Sequence, residues 1–271
     1  MTAPESITGS LLMADCQLYP TFPHAGRVYA YDPAAPIDIS LPLGPGNDQV
    51  NCFWAEPVQF DTIRVGDFVG SVALGGSTNY QRIHLTPHGN GTHTECYGHI
   101  SPEPGVTLNR CLRRFLFVAR LVSVAPRPQP NGDLVVMLAD MQAALASQPD
   151  RTISEALVLR TLPNDPAKRQ RHYSGTNPTY VEPALAHFLA EHNVQHFLLD
   201  LPSVDREEDA GQLLAHHAFW CYPATPRHGA TITELIFVPD EVADGLYLLN
   251  IQIISLELDA SPSKPVLYAL N

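Results

Sequence analysis

The chain has 271 residues, enough for one large domain or two small ones with a sizeable core. Hydrophobic residues make up 45% and charged residues 16%, a balance that excludes a disordered chain. The formal charge of -12, from 16 Lys and Arg against 28 Asp and Glu, speaks against nucleic-acid partners and anionic membrane surfaces, which need clustered cations.

No apolar run approaches the ~20 residues that cross a bilayer. Residues 1–10 carry Glu5 and no Lys or Arg, and only Leu11-Leu12-Met13-Ala14 follows as an apolar patch, so no secretory signal is expected. The five cysteines (Cys16, Cys52, Cys96, Cys111, Cys221) are odd in number and widely spaced, without a CxxC pair. That pattern disfavours a thiolate zinc site and fits free thiols in a cytoplasmic protein.

Residues 1–36 hold Pro20, Pro23, Pro33 and Pro36 and show no period; they are expected to form an arm or irregular wrap ahead of a main domain at 37–271. Residues 37–41 alternate apolar and polar as a half-buried strand does. Residues 68–74 and 82–85 are expected as two further strands. The β-branched and aromatic content of 115–124 predicts a long strand, and that of 134–138 another. The Ala-rich 140–147 is helix-like, and 156–162 is a strand that runs into a long polar loop at 163–178. Pro183 starts a helix over 183–192, with Leu185, Phe188 and Leu189 on one face and Asn193 at its end. Residues 197–200, 235–238, 247–256 and 266–270 complete the predicted strands. The sum is a strand-rich α/β single domain with few helices and no internal repeat.

Chemistry concentrates in residues 84–99, which set four imidazoles (His84, His88, His93, His99) and Glu95 among Gly89, Gly91 and Gly98. In an extended segment residues two apart share a face, so His93 and Glu95 point the same way. Imidazole nitrogen with carboxylate oxygen suits zinc or another divalent first-row ion. Gly89 and Gly91 let the backbone turn so that His88 approaches the same point. His99 lies four residues past Glu95, within reach as a base or second ligand. His84 alternates with Ile83 and Leu85 and is left out of the set. A lone His is more often structural, and a His-rich surface loop is the rival explanation; the density of the cluster favours a metal. A second region, Pro202-Ser203-Val204-Asp205, then His216-His217, then Glu234, is weak by itself: adjacent histidines are common in loops, and Glu234 fits an exposed strand.

The run Gly91-Thr92-His93-Thr94-Glu95-Cys96-Tyr97-Gly98-His99 resembles the H-x-G-T-H-x-D-x-P-x-H signature of the putative cyclase family, which includes bacterial kynurenine formamidases and isatin hydrolases. Asp38-Ile39-Ser40, the P-S-x-D at 202–205, the histidine pair and Glu234 resemble that family's other motifs in the same order. The resemblance implies a swivelling β/β/α fold and at least a homodimer, for which the strand-rich tail at 247–270 offers apolar surface. It implies His93, Glu95, His216 and Glu234 as metal ligands and His99 as acid/base. The family's first histidine ligand falls on Gly89, so His88, one residue earlier, is the candidate for it. Glu95 stands where the family has an aspartate, and the interval from His216 to Glu234 is long, which suggests a divergent subgroup.

The implied chemistry is a small-molecule hydrolysis. A divalent ion, Zn or Mn, as one ion or two, lowers the pKa of bound water from 15.7 to about 7, and the metal-bound hydroxide attacks an amide or imide carbonyl. His99 moves the protons. The substrate expected is an N-formyl arylamine or a cyclic amide or imide. The alternatives are a non-catalytic metal- or ligand-binding homologue, which the displaced His88 favours, and a cyclase or lactonase acting on a C–O bond. Trp54, Phe68, Tyr97 and Trp220 are candidates for the pocket wall, against the commoner role of core aromatics. Cys96 is expected to be a bystander, and Asp205 to close a turn with Ser203.

Overall fold

The computed structural model describes residues 19–149 and 152–271; residues 1–18, with the apolar patch at 11–14 and Cys16, lie outside the described residues. The long apolar runs become strands of one closed sheet. In chain order these are β1 (Ile37–Asp38), β2 (His93–Cys96), β3 (Leu116–Val124), β4 (Ala156–Thr161), β5 (His196–Leu199), β6 (Thr231–Glu234), β7 (Gly245–Ile253) and β8 (Ala260–Ala269). The order around the barrel is β7-β3-β4-β5-β6-β2-β8, and β8 closes it by pairing with β7, leaving β1 as an attachment on β8.

Strands β3 to β6 run parallel, and each connection between them carries a helix, because parallel neighbours cannot be joined by a tight hairpin. These helices are α1 (Leu138–Ser147), α2 (Pro183–Glu191) and α3 (Leu214–Trp220). The period-2 pleat then divides the apolar side chains into two cores. Phe117, Ala119 and Leu121 of β3, Ala156 and Val158 of β4, and Leu249 and Ile251 of β7 pack with Cys96 inside the barrel. Val122, Leu157, Leu159, Phe197 and Ile232 face the other way and pack on Met141, Leu185, Phe219 and Trp220 of the helices. The α/β reading with few helices holds.

Three expectations change. The apolar run 235–238 lies outside the named strands: Leu235 has φ 54°, which breaks the ladder, and the strand is the polar Thr231–Glu234 before it. Within 68–74 only Phe68–Val69 is extended, and Val72–Leu74 forms a single 3-10 turn. The tail's Leu248, Leu249, Ile251 and Leu267 are fully buried in the barrel wall, so its apolar surface is used internally. Exposed apolar side chains gather instead on an arm at 59–84, where Gln59–Thr62 pairs with Gln81–His84 and where Val65, Val72, Leu74, Tyr80 and Ile83 face out. Residues 19–36 include a hairpin, Thr21–His24 with Arg27–Ala30, held to the chain end by reciprocal bonds between Ala30 and Asn271 at 3.0 and 2.9 Å. The loop 163–178 is tied down by Lys168, whose buried Nζ donates to Thr161 O at 2.6 Å and to Asp200 Oδ2 at 2.8 Å.

Candidate metal centre

Strand β2 is buried along its whole length between β6 and β8. Its alternation sends Thr94 and Cys96 into the barrel, where Thr94 Oγ1 meets Thr233 Oγ1 at 2.8 Å. His93 and Glu95 therefore emerge on the outer face, beneath α3. The antiparallel register sets His93 directly opposite Glu234 and Glu95 opposite Ile232. A carboxylate on β6 and an imidazole on β2 thus become neighbours despite a separation of 141 residues, and His93 Nε2 lies 3.3 Å from Glu234 Oε2.

Glu95 is the hub. Its Oε1 lies 3.2 Å from His216 Nε2, and its Oε2 lies 3.1 Å from His88 Nδ1 and 3.8 Å from His99 Nδ1. Burial pushes the Glu95 carboxyl up, but His99, His216 and His88 together hold it well below the usual carboxylate range. His216 reaches Glu95 from the first turn of α3, which Asp205 caps by accepting from Ala215 N at 2.7 Å and His216 N at 3.0 Å. Asp205 also accepts from His216 Nδ1 at 2.6 Å. Its N–H does bond Ser203 Oγ at 3.1 Å, so the expected turn is present, but the carboxylate does more than close it.

His88 arrives by a different route from the one its spacing suggests. A Cβ built on Gly89 would stand 2.3 Å from Ala55 Cβ and 3.0 Å from Cys52 O, so position 89 has room for no side chain. The turn continues through Gly91 at φ 101°, a left-handed conformation that glycine adopts freely. Thr92 pins it by donating to Leu235 O at 2.5 Å and accepting from Leu41 N at 2.8 Å. In this turn the residue before Gly89 is the one that faces Glu95.

The imidazole protons are set from outside the cluster. The Gly91 carbonyl can only accept, so His93 Nδ1 carries its proton and donates at 2.9 Å, and Nε2 is left as a buried lone pair without a hydrogen bond. A carboxylate likewise can only accept, so Asp205 fixes a proton on His216 Nδ1. Ligand atoms of His93, Glu95 and Glu234 lie within 4.8 Å of one another, and so do those of His88, Glu95 and His99. An orphaned buried nitrogen beside two carboxylates fits a divalent cation, and the nitrogen and oxygen donors are the types such ions take.

All six sequence-derived site residues, His88, His93, Glu95, His99, His216 and Glu234, are therefore brought together. One further acid joins them: Asp259, whose Oδ2 lies 2.8 Å from His88 Nε2 and 3.2 Å from His99 Nδ1. No spacing motif marks it. His84 stands apart, 3.0 Å from Asp61 on the exposed arm. Trp220 is a core residue, and Tyr97 is buried with its hydroxyl on His228 Nδ1 at 2.8 Å. Phe68 belongs to the arm. Trp54 is exposed on a loop whose Cys52 N donates to Gly89 O at 3.1 Å.

Fold and site together define an α/β barrel protein with a His/Glu centre suited to a divalent cation. Residues 37–206 match the model of the family described as putative cyclase, and the chain belongs to that family. Among relatives, it is 27% identical over 232 residues to the kynurenine formamidase of Bacillus thuringiensis (strain Al Hakam), covering 85% of this chain and 96% of that protein. Among solved structures it is similar to isatin hydrolase A from Labrenzia aggregata bound to benzyl benzoate, with a TM-score of 0.63 at 14% identity, covering 87% of this chain and 93% of that one. It is also similar to a predicted metal-dependent hydrolase from Bacillus stearothermophilus, with a TM-score of 0.59 at 17% identity and coverage of 86% and 98%. At these identities the structural likeness carries the fold alone.

Proposed function

We propose that the chain is a metal-dependent hydrolase that opens a C–N amide bond, in an N-formyl arylamine or a cyclic amide or imide. The observation that carries the proposal is the enclosure of buried Glu95 by His88, His99 and His216, with the unsatisfied His93 Nε2 and Glu234 beside it. His88, His93, Glu95, His216 and Glu234 would hold the metal, Zn or Mn, as one ion or two, Glu95 belonging to both donor trios. A divalent ion supplies Lewis acidity toward a carbonyl oxygen and lowers the pKa of a bound water from 15.7 to about 7.

The chain's own groups do the rest. His99 is half-buried, with Nδ1 held by Asp259, so its Nε2 is the atom left to take a proton from water and return one to the leaving nitrogen. The barrel interior behind β2 is packed with apolar side chains. Phe53 and Trp54 both hold left-handed φ angles, 54° and 52°, which are costly for aromatic residues and concentrate at functional sites. Their place beside the Cys52–Gly89 bond supports an aryl substrate, as do the kynurenine formamidase and isatin hydrolase relatives. The displacement of His88 by one residue, the feature that favoured a non-catalytic binder, loses its force beside the 3.1 Å approach of that ring to Glu95.

The same proposal takes 37–271 as the catalytic unit, 1–36 as an appended arm, and a homodimer or larger oligomer in the cytoplasm as the working form. Among the described residues no helix is long and apolar enough to cross a membrane.

The test is metal analysis of the purified protein, followed by turnover of a panel of N-formyl arylamines, isatin-like cyclic amides and lactones. A bound divalent metal, amide turnover, and loss of both activity and thermal stability on chelation are expected. Less than about a tenth of an equivalent of metal after reconstitution, or a loaded protein that turns over none of the panel, would overturn the proposal. Turnover of lactones alone would move the reaction to the C–O bond.

A further inference from the structure

Asp259 immediately precedes β8, whose first residue, Ala260, lies opposite Glu95. Its backbone is clamped to the centre: Asp259 O accepts from Cys96 N at 3.0 Å, and Leu258 O accepts from Leu108 N at 2.8 Å. The side chain then has little freedom, and one oxygen, Oδ2, meets His88 Nε2 at 2.8 Å and His99 Nδ1 at 3.2 Å. The two rings lie 4.3 Å apart between centroids and 35° from coplanar, so a single acceptor serves both. Nearby Glu257 is different in kind. Its carboxylate is taken by Thr107 Oγ1, Asn109 Nδ2 and Arg110 Nε at 2.8–2.9 Å, a structural tie outside the centre.

Because a carboxylate only accepts, Asp259 places protons on His99 Nδ1 and His88 Nε2. On His99 the opposite nitrogen, Nε2, is then left for proton transfer, while the opposite nitrogen of His88, Nδ1, faces the Glu95 carboxylate at 3.1 Å. Gly91 O does this for His93 and Asp205 for His216, but each serves one ring. We infer that Asp259 is the positioning residue of the acid/base, setting the orientation and tautomer of His99 while steadying His88. The inference rests on the proposed role of His99. It concerns the partner of the proton carrier, which general principles make worth about 10–100-fold in metal affinity or activity.

The test compares Asp259→Asn and Asp259→Glu with the parent, each also carrying His99→Ala in a double-mutant cycle. Asp259→Asn removes one acceptor and offers an amide donor; it is expected to lower kcat by about 10–100-fold while KM changes by less than about threefold and most metal stays bound through His93, Glu95, His216 and Glu234. In the His99→Ala background the same change should cost less than about twofold, whereas a merely structural acid would cost the same in both backgrounds. Asp259→Glu keeps both acceptor oxygens and should recover part of kcat. A readout independent of turnover is ¹⁵N NMR of zinc-loaded, histidine-labelled protein at a pH where the His99 ring is neutral. The parent should show the Nδ1-protonated tautomer and Asp259→Asn a shift toward the Nε2-protonated one. An Nε2-protonated His99 in the parent, or equal losses in the two backgrounds, overturns the inference even where a variant folds poorly. A locked Nδ1 tautomer in a parent that hydrolyses nothing would instead leave Asp259 its place and remove the hydrolase proposal.

Discussion

Replacing Asp205 by Asn tests how far the centre depends on a residue outside the proposed ligand set. Its buried carboxylate accepts three hydrogen bonds: Oδ1 from Ala215 N, and Oδ2 from both His216 N and His216 Nδ1. Asn keeps one acceptor and turns the other into an NH₂ donor, so either flip of the amide sets donor against donor. Losing a hydrogen bond to a charged group costs about 1.5–3 kcal/mol, and weakening the cap of α3 costs about 1 kcal/mol. With some overlap between the two, stability should fall by about 2–4 kcal/mol, or roughly 5–15 °C in Tm for a chain of this size. An amide donor at His216 Nδ1 also favours the tautomer with the proton on Nε2, the nitrogen that faces Glu95. Metal affinity should fall about 10–100-fold, or about 1.4–2.8 kcal/mol. The assay is chelator competition with zinc together with calorimetric melts of the metal-free and loaded forms. An affinity within about twofold of the parent and an unchanged melt would refute the reasoning.

Metal uptake should release protons. Burial lowers the pKa of His216, but Asp205 and Glu95 raise it to about 10, and Asp259 and Glu95 likewise raise half-buried His88 to about 10. In metal-free protein the stability these two contribute is present below their ordinary pKa of about 6.5 and is lost as pH rises through about 10, so Tm should fall across that window. Glu95, Asp205 and Asp259 are lowered, so their contribution is present above about pH 4 and is lost as the pH falls further. Calorimetry in buffers of different ionisation enthalpy reads the release, and none at neutral pH would contradict the assignment of these rings as ligands. His93→Ala should lose metal and activity together, while His99→Ala should keep most metal and lose about 10²–10⁴-fold in rate; equal rates for His99→Ala and the parent would remove the acid/base role. Gly89→Ala, whose methyl meets Ala55 Cβ at 2.3 Å, should destabilise by about 1–3 kcal/mol, and an unshifted melt would show that the turn relaxes freely. Light scattering at micromolar concentration should give at least a dimer mass, and Leu74→Lys with Ile83→Lys on the exposed arm should reduce it; a monomeric parent would end the oligomer proposal.

What the sequence made legible follows from how far each contact reaches along the chain. His93 and Glu95 are two residues apart on one strand, so alternation alone sets them on one face, and the glycines around His88 announce a turn. The long strand Leu116–Val124 and the helix Pro183–Glu191 carry their own period and boundary residues, and they stand within a residue of expectation. His216 and Glu234 were visible only through a family resemblance. The helix that holds His216 has seven residues, starts from Leu213 at φ 44°, and takes its cap from Asp205, ten residues before Ala215, so no local capping pattern marks it. Glu234 ends the strand Thr-Ile-Thr-Glu, three of whose four residues are polar, yet it is buried on both faces. Its threonines face the barrel interior and its glutamate faces the cluster, whereas the more apolar 235–238 beside it drew the strand assignment. Asp259 reaches His99 across 160 residues, and its place depends on β8 pairing with β2, a non-local register that no window of the sequence contains. The local signals therefore specify the ligand strand, while the groups that fix its protons, Asp205 and Asp259, are supplied by tertiary pairing. That division explains why a carboxylate expected to close a turn and one not expected at all both orient imidazoles at the centre.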